Sequence, residues 1–329
     1  MNQTVRSKIL ITEAMPLIEE EKKGLEKYAD VKLARSPTED NLVVEVNDVD
    51  VIMVVYAQIT KRIIDSAKKL KGIVRYGIGV DNIDLNAATE RKIAVANVPD
   101  YCIGTVADHA FAHLLALSRK TLIADKIVRT GEYVGAWASP SDKIKGLDLE
   151  GKVLGVIGLG KIGRSIVARA KGFGMKVIAY DPYLGKELAR VLNVELLDLN
   201  TLLRESDFVS IHTPLLPETR GMIGERELKM MKKTAYLINV ARGPIVDEKA
   251  LYKALKEEWI AGAGVDVYEK EPPDPGNPLF KLENIVLTPH IAWYTEDALR
   301  RLEMSAVEEA IRMLQGQLPK NLVNKIPIG

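Results

Sequence analysis

Residues 153–181 read VLGVIGLGKIGRSIVARAKGFGMKVIAYD. An apolar run leads into three glycines, a helical pattern follows, and a second apolar run ends on Asp181. This succession of strand, glycine turn, helix, strand and acid is the full context that a dinucleotide-binding fingerprint requires. Gly158 permits the tight turn, Gly160 lets a pyrophosphate approach the backbone, and Gly163 lets the helix and strand pack closely. The stretch therefore predicts a βαβ unit that binds a dinucleotide, rather than an ordinary crossover with a glycine-rich turn.

The acid at the end of the second strand indicates which dinucleotide is bound. The carboxylate of Asp181 can accept hydrogen bonds from ribose hydroxyls, and it repels a 2′-phosphate. The predicted helix begins at Lys161 and Ile162, where free N–H groups and the positive end of the helix dipole can face the phosphates. We therefore predict NAD as the cofactor.

The bulk composition is typical of a globular protein and excludes several classes of partner. The 329 residues are 47% apolar and 28% charged, with a formal net charge of +1. A chain of this length is expected to form two domains. Its near-neutral charge gives no electrostatic case for a nucleic acid or a membrane surface. The single cysteine, Cys102, precludes an intrachain disulfide and favours a reducing compartment. With no apolar run of about 18 residues and no signal-peptide pattern, we expect a cytoplasmic protein.

Strands and helices alternate on both sides of the glycine turn, which is typical of parallel sheets covered by helices on both faces. The predicted strands lie at 8–12, 31–34, 51–55, 73–76, 94–97, 153–157, 177–180, 208–211, 235–239, 264–267 and 285–287. The predicted fold class is α/β, with two doubly wound parallel-sheet domains, Rossmann-like and flavodoxin-like, and a cleft between them.

The position of the fingerprint in mid-chain predicts that one domain is inserted in the other. We assign 1–102 plus 294–329 to a substrate domain and 103–293 to an NAD-binding domain. A long amphipathic helix over 104–130 and a loop over 131–146 precede the fingerprint. A final helix over 295–315 is expected to return to the first domain.

Three polar residues follow predicted strands of the second domain, at the sheet edge where open α/β sheets bind ligands. They are Arg242, Glu271 and His290. An arginine can bind a substrate carboxylate through two hydrogen bonds. A histidine can protonate a carbonyl oxygen near neutral pH, and a neighbouring carboxylate would fix its tautomer and stabilise its protonated form. These residue types are what hydride transfer to a 2-oxo acid requires.

The sequence resembles the D-2-hydroxyacid dehydrogenase family over essentially its whole length. The segments that carry the resemblance are RYGIGVDNID (75–84), VADH (106–109), the fingerprint, HTPL (212–215), NVARG (239–243), GVDVYEKEP (264–272) and TPH (288–290). The resemblance implies that Arg242, Glu271 and His290 form the catalytic triad. It also implies a homodimer paired through the NAD-binding domain, with the segment 104–146 reaching across.

The resemblance assigns further residues to the two ligands, NAD and a small 2-oxo or 2-hydroxy acid. The residues implied to contact NAD, beyond the fingerprint and Asp181, are Thr213, Thr219, Val240, Ala241 and Asp266. The backbone at Ile78 and Gly79 would bind the substrate carboxylate, and Tyr56 and Arg75 would complete the substrate pocket. Trp293 is expected either to line that pocket beside the cofactor or to serve only in packing.

The substrate itself is left open by the sequence. YAQIT (56–60) and TPHIAWYTE (288–296) are similar to the branch that contains the C-terminal-binding proteins. The 3-phosphoglycerate dehydrogenases tend to carry Arg-Ser where this chain has Tyr56-Ala57, which disfavours a phosphorylated substrate. Arg75 could hold a second anionic group, reinforce Arg242 or pair with Asp81. The alternatives are therefore a D-2-hydroxyacid dehydrogenase, a D-3-phosphoglycerate dehydrogenase, or an NAD-sensing binding protein of the corepressor type.

No metal site is predicted. His109 and His113 have the i, i+4 spacing of helical metal ligands. No third ligand is evident nearby, and both residues lie in an apolar pattern. We therefore interpret them as structural histidines.

Overall fold

The computed structural model describes residues 6–13, 19–131 and 144–326, and the chain divides into two compact units. The first unit comprises Met1–Cys102 and Thr295–Gly329, and the second comprises Ile103–Tyr294. The roles predicted for the two parts, substrate binding and NAD binding, stay predictions. None of the helices within the described residues is long and apolar enough to cross a membrane.

The first unit is built on a parallel sheet, with five strands among its described residues in the order β2-β1-β3-β4-β5. Its elements are β1 (Ser7–Ile11), α1 (Glu19–Glu26), β2 (Ala29–Leu33), α2 (Glu39–Glu45), β3 (Val51–Val54), α3 (Lys61–Ser66), β4 (Gly72–Arg75), α4 (Leu85–Glu90), β5 (Ala94–Ala96) and, at the end of the chain, α12 (Glu296–Leu314).

Buried apolar strands and capped helices explain why this unit forms. All four residues of β3 are buried, as a strand covered on both faces should be. Thr60 and Asp84 accept hydrogen bonds from backbone amides in the first turns of α3 and α4. The final helix, α12, packs against β3 and β4, and the side chain of Met313 lies directly over Gly72. The last predicted helix therefore does return to the first unit.

The second unit is built on a larger parallel sheet, with seven described strands in the order β12-β11-β10-β9-β6-β7-β8. Its elements are α5 (Ile103–Arg119), α6 (Thr121–Arg129), β6 (Val153–Ile157), α7 (Lys161–Gly172), β7 (Lys176–Tyr180), α8 (Lys186–Val191), β8 (Glu195–Leu196), α9 (Leu199–Glu205), β9 (Phe208–Ile211), α10 (Glu225–Met230), β10 (Tyr236–Asn239), α11 (Glu248–Lys256), β11 (Gly262–Val265) and β12 (Ile285–Leu287).

The two strand orders identify the fold class. The first sheet has the flavodoxin-like order, and the second has the Rossmann order with one strand more. The predicted α/β class with two doubly wound parallel sheets is thus confirmed. In each sheet the order reverses at one point, between β1 and β3 and between β6 and β9, and such switch points open a crevice at the carboxyl ends of the strands.

Several details of the predicted elements were wrong, including the strand β8, which the prediction lacked. The helix predicted over 104–130 is two helices, because Lys120 adopts a left-handed conformation with φ of 54° and ends α5. The strand predicted at 264–267 spans Gly262–Val265, so Asp266 lies just beyond β11 rather than within it. Of the predicted loop 131–146, residues 132–143 lie outside the described residues.

Candidate active site

The glycine turn lies at the switch point of the second sheet. Gly158 has φ of 91°, and a Cβ there would come within 2.9 Å of the backbone of His212 and Thr213, which follow β9. A Cβ at Gly163 would lie 2.0 Å from the carbonyl oxygen of Gly158. Both positions therefore exclude a side chain, and their close contacts bring the loop after β9 against the fingerprint.

Gly160 differs from the other two fingerprint glycines because nothing crowds it. It is the N-cap residue of α7, directly before Lys161 and Ile162, and a Cβ placed there would meet no atom within 4 Å. The space beside the first amides of a 12-residue helix is thus open, as the binding of a pyrophosphate requires. The turn fits the dinucleotide that the sequence predicts.

Asp181 has a structural contact that the sequence did not indicate. Its Oδ2 accepts a hydrogen bond from the amide of Leu159 at 2.8 Å, and its Oδ1 accepts one from the amide of Tyr183 at 3.0 Å. The carboxylate therefore holds the glycine turn in shape. Each oxygen has a further lone pair, so the predicted contact with ribose hydroxyls is compatible with both bonds.

The loop after β9 is braced by its own side chains. The hydroxyl of Thr219, which is 5% exposed, donates to the carbonyl of Pro214 at 2.7 Å and accepts from the amide of Leu216 at 2.7 Å. Burial lowers the pKa of His212 to about 3, and its Nε2 lies 2.8 Å from the hydroxyl of Ser210. His212 is therefore neutral at physiological pH. Thr219, which was predicted to contact NAD, makes hydrogen bonds within this loop and stabilises its shape.

Arg242 follows β10 on a loop that Asn239 holds in place. The buried Asn239 side chain donates to the carbonyl oxygen of Arg242 at 2.9 Å and accepts from the amide of Ala241 at 3.1 Å. These two bonds span Val240 and fix the backbone from which the guanidinium projects. Asn239 is a positioning residue that our sequence reasoning missed, although it belongs to the NVARG motif.

Gly243 brings the arginine loop against the loop that carries the glutamate. A Cβ at Gly243 would lie 1.8 Å from the carbonyl oxygen of Tyr268, so no other residue fits between the two chains. The positive charge of Arg242 is among the influences that lower the pKa of Glu271. The two predicted residues therefore lie at one edge of the sheet, after β10 and β11.

Glu271 and His290 form a direct pair. His290 Nδ1 lies 2.6 Å from Glu271 Oε2, and the other carboxylate oxygen, Oε1, accepts the amide hydrogen of Tyr268 at 3.0 Å. Burial opposes ionisation of Glu271, but the hydrogen bond and charge of His290, the Tyr268 amide and the charge of Arg242 together lower its pKa. Glu271 is therefore ionised at neutral pH and fixes Nδ1 of the imidazole as a donor, which leaves Nε2 as the nitrogen that can act on a substrate.

His290 adopts a left-handed backbone conformation, with φ of 56°. Its amide donates to the carbonyl oxygen of Asp266 at 2.7 Å, and its own carbonyl accepts from Trp293 Nε1 at 3.1 Å. The Asp266 carboxylate is fully buried and accepts the amide hydrogens of Ile291 at 2.9 Å and Ala292 at 2.8 Å. Asp266 thus supports the whole segment that follows His290.

The predicted substrate residues of the first unit lie at the ends of β3 and β4, with Arg75 as the last residue of β4. Tyr56 is 53% exposed, and the Arg75 guanidinium donates to the carbonyl of Tyr76. Asn97 Nδ2 donates to the carbonyl of Ile78 at 2.6 Å and so fixes the segment that contains Gly79.

Glu13, after β1, fills the crevice at the switch point of the first sheet. Its carboxylate accepts amide hydrogens from Val55 at 3.1 Å, from Tyr56 at 2.9 Å and from Ala57. Sequence reasoning missed this residue because its partners are more than forty positions away.

The two predicted structural histidines of α5 share one hydrogen-bonding partner. His109 and His113 direct their Nε2 atoms to the hydroxyl of Thr288, each at 3.0 Å. Within the described residues, no group of three histidine, cysteine, aspartate or glutamate side chains is arranged as metal ligands would be. Cys102 is buried, with 2% of its surface exposed.

The chain is similar to several known dehydrogenases and reductases. The family model described as D-isomer specific 2-hydroxyacid dehydrogenase, NAD binding domain, matches residues 111–292. The glyoxylate reductase of Thermococcus litoralis is 43% identical over 326 residues, which cover 98% of both chains. The D-3-phosphoglycerate dehydrogenase of Methanocaldococcus jannaschii is 44% identical over 319 residues, or 96% of this chain, but this chain spans only 59% of that enzyme. The solved structure of D-lactate dehydrogenase from Aquifex aeolicus, complexed with NAD and lactic acid, matches 98% of this chain and 100% of that chain with a TM-score of 0.88 and 28% identity.

Proposed function

The chain belongs to the D-isomer-specific 2-hydroxyacid dehydrogenase family, and from this membership we propose that it reduces a small, unphosphorylated 2-oxo acid such as glyoxylate or hydroxypyruvate. The predicted family and the predicted cofactor, NAD, are confirmed by the match to the NAD-binding domain of that family. The protein is therefore an NAD-dependent oxidoreductase that acts on a CH–OH group. The residue roles and the substrate given below are proposals.

The observation that carries the proposed chemistry is the pair formed by His290 and Glu271, 2.6 Å apart. When bound, NADH supplies the hydride that reduces the carbonyl carbon. His290 donates the proton from Nε2 to the carbonyl oxygen and becomes neutral, while Glu271 keeps the proton on Nδ1. In the reverse direction neutral His290 removes the hydroxyl proton. Arg242 binds the substrate carboxylate and orients the carbonyl for this transfer.

The cofactor would be held by the second unit. The first amides of α7, with the open space at Gly160, would bind the pyrophosphate, and Asp181 would bind the ribose hydroxyls. Thr213 and the segment containing Val240 and Ala241 would contact the cofactor along the same sheet edge. Asp266 would act through the backbone it supports rather than by direct contact, because its carboxylate is fully buried.

We assign substrate selection to the first unit. The amides of Ile78 and Gly79 would assist in binding the substrate carboxylate. The amides of residues 55–57 are not available to a distant anionic group, because Glu13 already accepts their hydrogens. A carboxylate in this crevice also repels a phosphate. Both features favour a short, uncharged substrate side chain.

The proposal is tested by assaying NADH oxidation with glyoxylate, hydroxypyruvate, pyruvate and phosphohydroxypyruvate. We expect kcat/KM for glyoxylate or hydroxypyruvate to exceed that for phosphohydroxypyruvate. The opposite order would support a D-3-phosphoglycerate dehydrogenase, the activity named for the relative that is 44% identical. Tight NADH binding with no turnover on any of these acids would instead support an NAD-sensing binding protein.

We further propose that the protein is a homodimer that pairs through α6. None of the residues of this helix is buried, and two of its apolar side chains, Leu122 and Val128, are 55% and 59% exposed. A second copy that covers these apolar side chains would remove the cost of exposing them. Light scattering of Leu122→Glu should show a monomer where the unaltered protein is a dimer, and a monomeric unaltered protein would refute the assignment. The C-terminal-binding-protein-like branch and the cytoplasmic location stay predictions.

A further inference from the structure

A partly buried polar cluster lies beneath the segment that carries His290, and the chemistry proposed above does not use it. The cluster consists of Asp266, Thr288, His109 and His113. The hydroxyl of Thr288 lies 2.6 Å from Asp266 Oδ1, and the Nε2 atoms of the two histidines each lie 3.0 Å from the same hydroxyl oxygen. His109 Nε2 also lies 3.5 Å from Asp266 Oδ1.

The protons of this cluster can be assigned. Burial opposes ionisation of Asp266, but hydrogen bonds from His109, Thr288 and the amides of Ile291 and Ala292 lower its pKa, so the carboxylate carries no proton. Thr288 must therefore donate its single hydroxyl proton to Asp266. Because that proton is used, the hydroxyl oxygen can only accept from the two imidazoles, and both must carry hydrogen on Nε2.

His113 completes the arrangement as a neutral donor. Burial, and then the neighbouring charge of His109, lower the pKa of His113 to about 4. A neutral imidazole has one N–H, which the contact with Thr288 places on Nε2. The Thr288 hydroxyl consequently makes three hydrogen bonds, which is all that a hydroxyl can make. These three bonds form the hydrogen-bonding pattern around the Thr288 hydroxyl.

This pattern is connected directly to His290. The Asp266 carbonyl accepts the amide hydrogen of His290, and the Asp266 carboxylate accepts those of the next two residues. A left-handed conformation at a residue other than glycine is unfavourable unless its surroundings enforce it. The groups that donate hydrogen bonds to the Asp266 carboxylate therefore help to hold His290 in the left-handed backbone conformation that directs its imidazole at Glu271.

We propose that Thr288 and His109 are positioning residues for the reduction, and that they act on His290 through Asp266. The inference rests on the role proposed for His290 above. Packing alone does not require these groups, since apolar side chains of similar shape would fill the space without the cost of burying polar groups. Neither residue touches a reacting atom. Their effect should therefore appear in kcat and not in cofactor binding.

Thr288→Val tests the proposal because it keeps the shape of the side chain and removes the hydroxyl. It removes the acceptor that both imidazoles share and one of the donors to Asp266 Oδ1, which keeps the hydrogen bond from the Ile291 amide. We expect kcat for the best 2-oxo acid of the panel to fall about 10- to 100-fold, with KM and the Kd for NADH within about threefold of the unaltered protein. Thr288→Ser, which restores the hydroxyl, should recover kcat to within about threefold.

Ser206→Ala is the matched control. Ser206 is fully buried in the same unit, and its hydroxyl donates to the carbonyl of Leu202 at 2.6 Å, away from the cluster. This variant should lose thermal stability but retain kcat. If Thr288→Val does not fold, His109→Leu against His109→Gln provides the same comparison, because glutamine retains an N–H donor.

The outcomes separate the inference from the proposed function. A kcat for Thr288→Val that matches the Ser206→Ala control would overturn the inference, as would a Thr288→Ser variant no faster than Thr288→Val. Both results presuppose that the unaltered protein reduces a 2-oxo acid. An unaltered protein that reduces none would instead overturn the proposed function, before any variant is compared.

Discussion

Replacing Glu271 by glutamine isolates the carboxylate charge that the proposed acid–base pair depends on. In the unaltered protein one carboxylate oxygen accepts from the Tyr268 amide and the other lies 2.6 Å from His290 Nδ1. Glutamine can offer its single oxygen to only one of these donors, and its NH₂ group then opposes the other. The variant therefore loses the charged acceptor that His290 Nδ1 has in the unaltered protein.

The size of the effect follows from this geometry. A hydrogen bond between charged partners contributes about 1.5–3 kcal/mol, and about 1.4 kcal/mol corresponds to a factor of ten in rate. We expect kcat for 2-oxo acid reduction at pH 7 to fall about 10- to 100-fold in Glu271→Gln. The Kd for NADH should stay within about twofold, since Glu271 is not among the residues proposed to hold the cofactor.

The same contact has a defined pH dependence. Because the pKa of Glu271 is lowered from 4.5, its interactions stabilise the fold above about pH 4.5 and are lost as the pH falls through the lowered value. Acid unfolding of the unaltered protein should therefore include a contribution that Glu271→Gln lacks. If the folded protein instead held this carboxyl protonated, its pKa would be raised, and its contribution to stability would be lost as the pH rises.

The assay is steady-state oxidation of NADH followed at several substrate concentrations, with NADH binding measured separately by fluorescence titration. Glu269→Gln is the matched control, because it makes the same chemical change two positions away at an exposed residue. A Glu271→Gln variant whose kcat equals that of Glu269→Gln would refute the catalytic role of the pair.

Three further substitutions test other parts of the structure. Asp181→Ala removes the acceptor of the Leu159 amide and the charge that disfavours a 2′-phosphate, so the ratio of NADH to NADPH affinity, measured by fluorescence titration, should fall about tenfold or more; an unchanged ratio would contradict the role of Asp181. Gly243→Ala places a Cβ 1.8 Å from the carbonyl of Tyr268, and the displaced loop should reduce kcat/KM more than it changes the Kd for NADH; unchanged kinetics would show that this close approach does not matter. Glu13→Ala leaves the amides of residues 55–57 without their acceptor. The free energy of unfolding, measured by urea titration, should fall by about 1–3 kcal/mol. A variant as stable as the unaltered protein would show that these hydrogen bonds do not stabilise the fold.

The fold class and the cofactor follow from the order of residue types along the chain. Apolar runs alternating with helical patterns predict parallel sheets, because strands covered on both faces cannot expose polar side chains. The spacing of Gly158, Gly160 and Gly163 followed by Asp181 predicts a dinucleotide site from the sterics of residues close together in the chain. Arg242, Glu271 and His290 could also be selected, because each follows an apolar strand and so falls at one edge of the sheet.

The contacts that hold these residues in place are visible only in the folded protein. The glycine turn meets the backbone of His212 because β9 pairs with β6, an arrangement that sequence order does not reveal. Asp266 and Thr288, which support His290, are 22 positions apart, and Glu13 is more than forty positions from the amides of residues 55–57 that it binds. Such contacts depend on strand order and on which polar groups share a buried space. Local periodicity and residue type do not specify the strand order or the polar groups that share a buried space. Both are set when the whole chain packs.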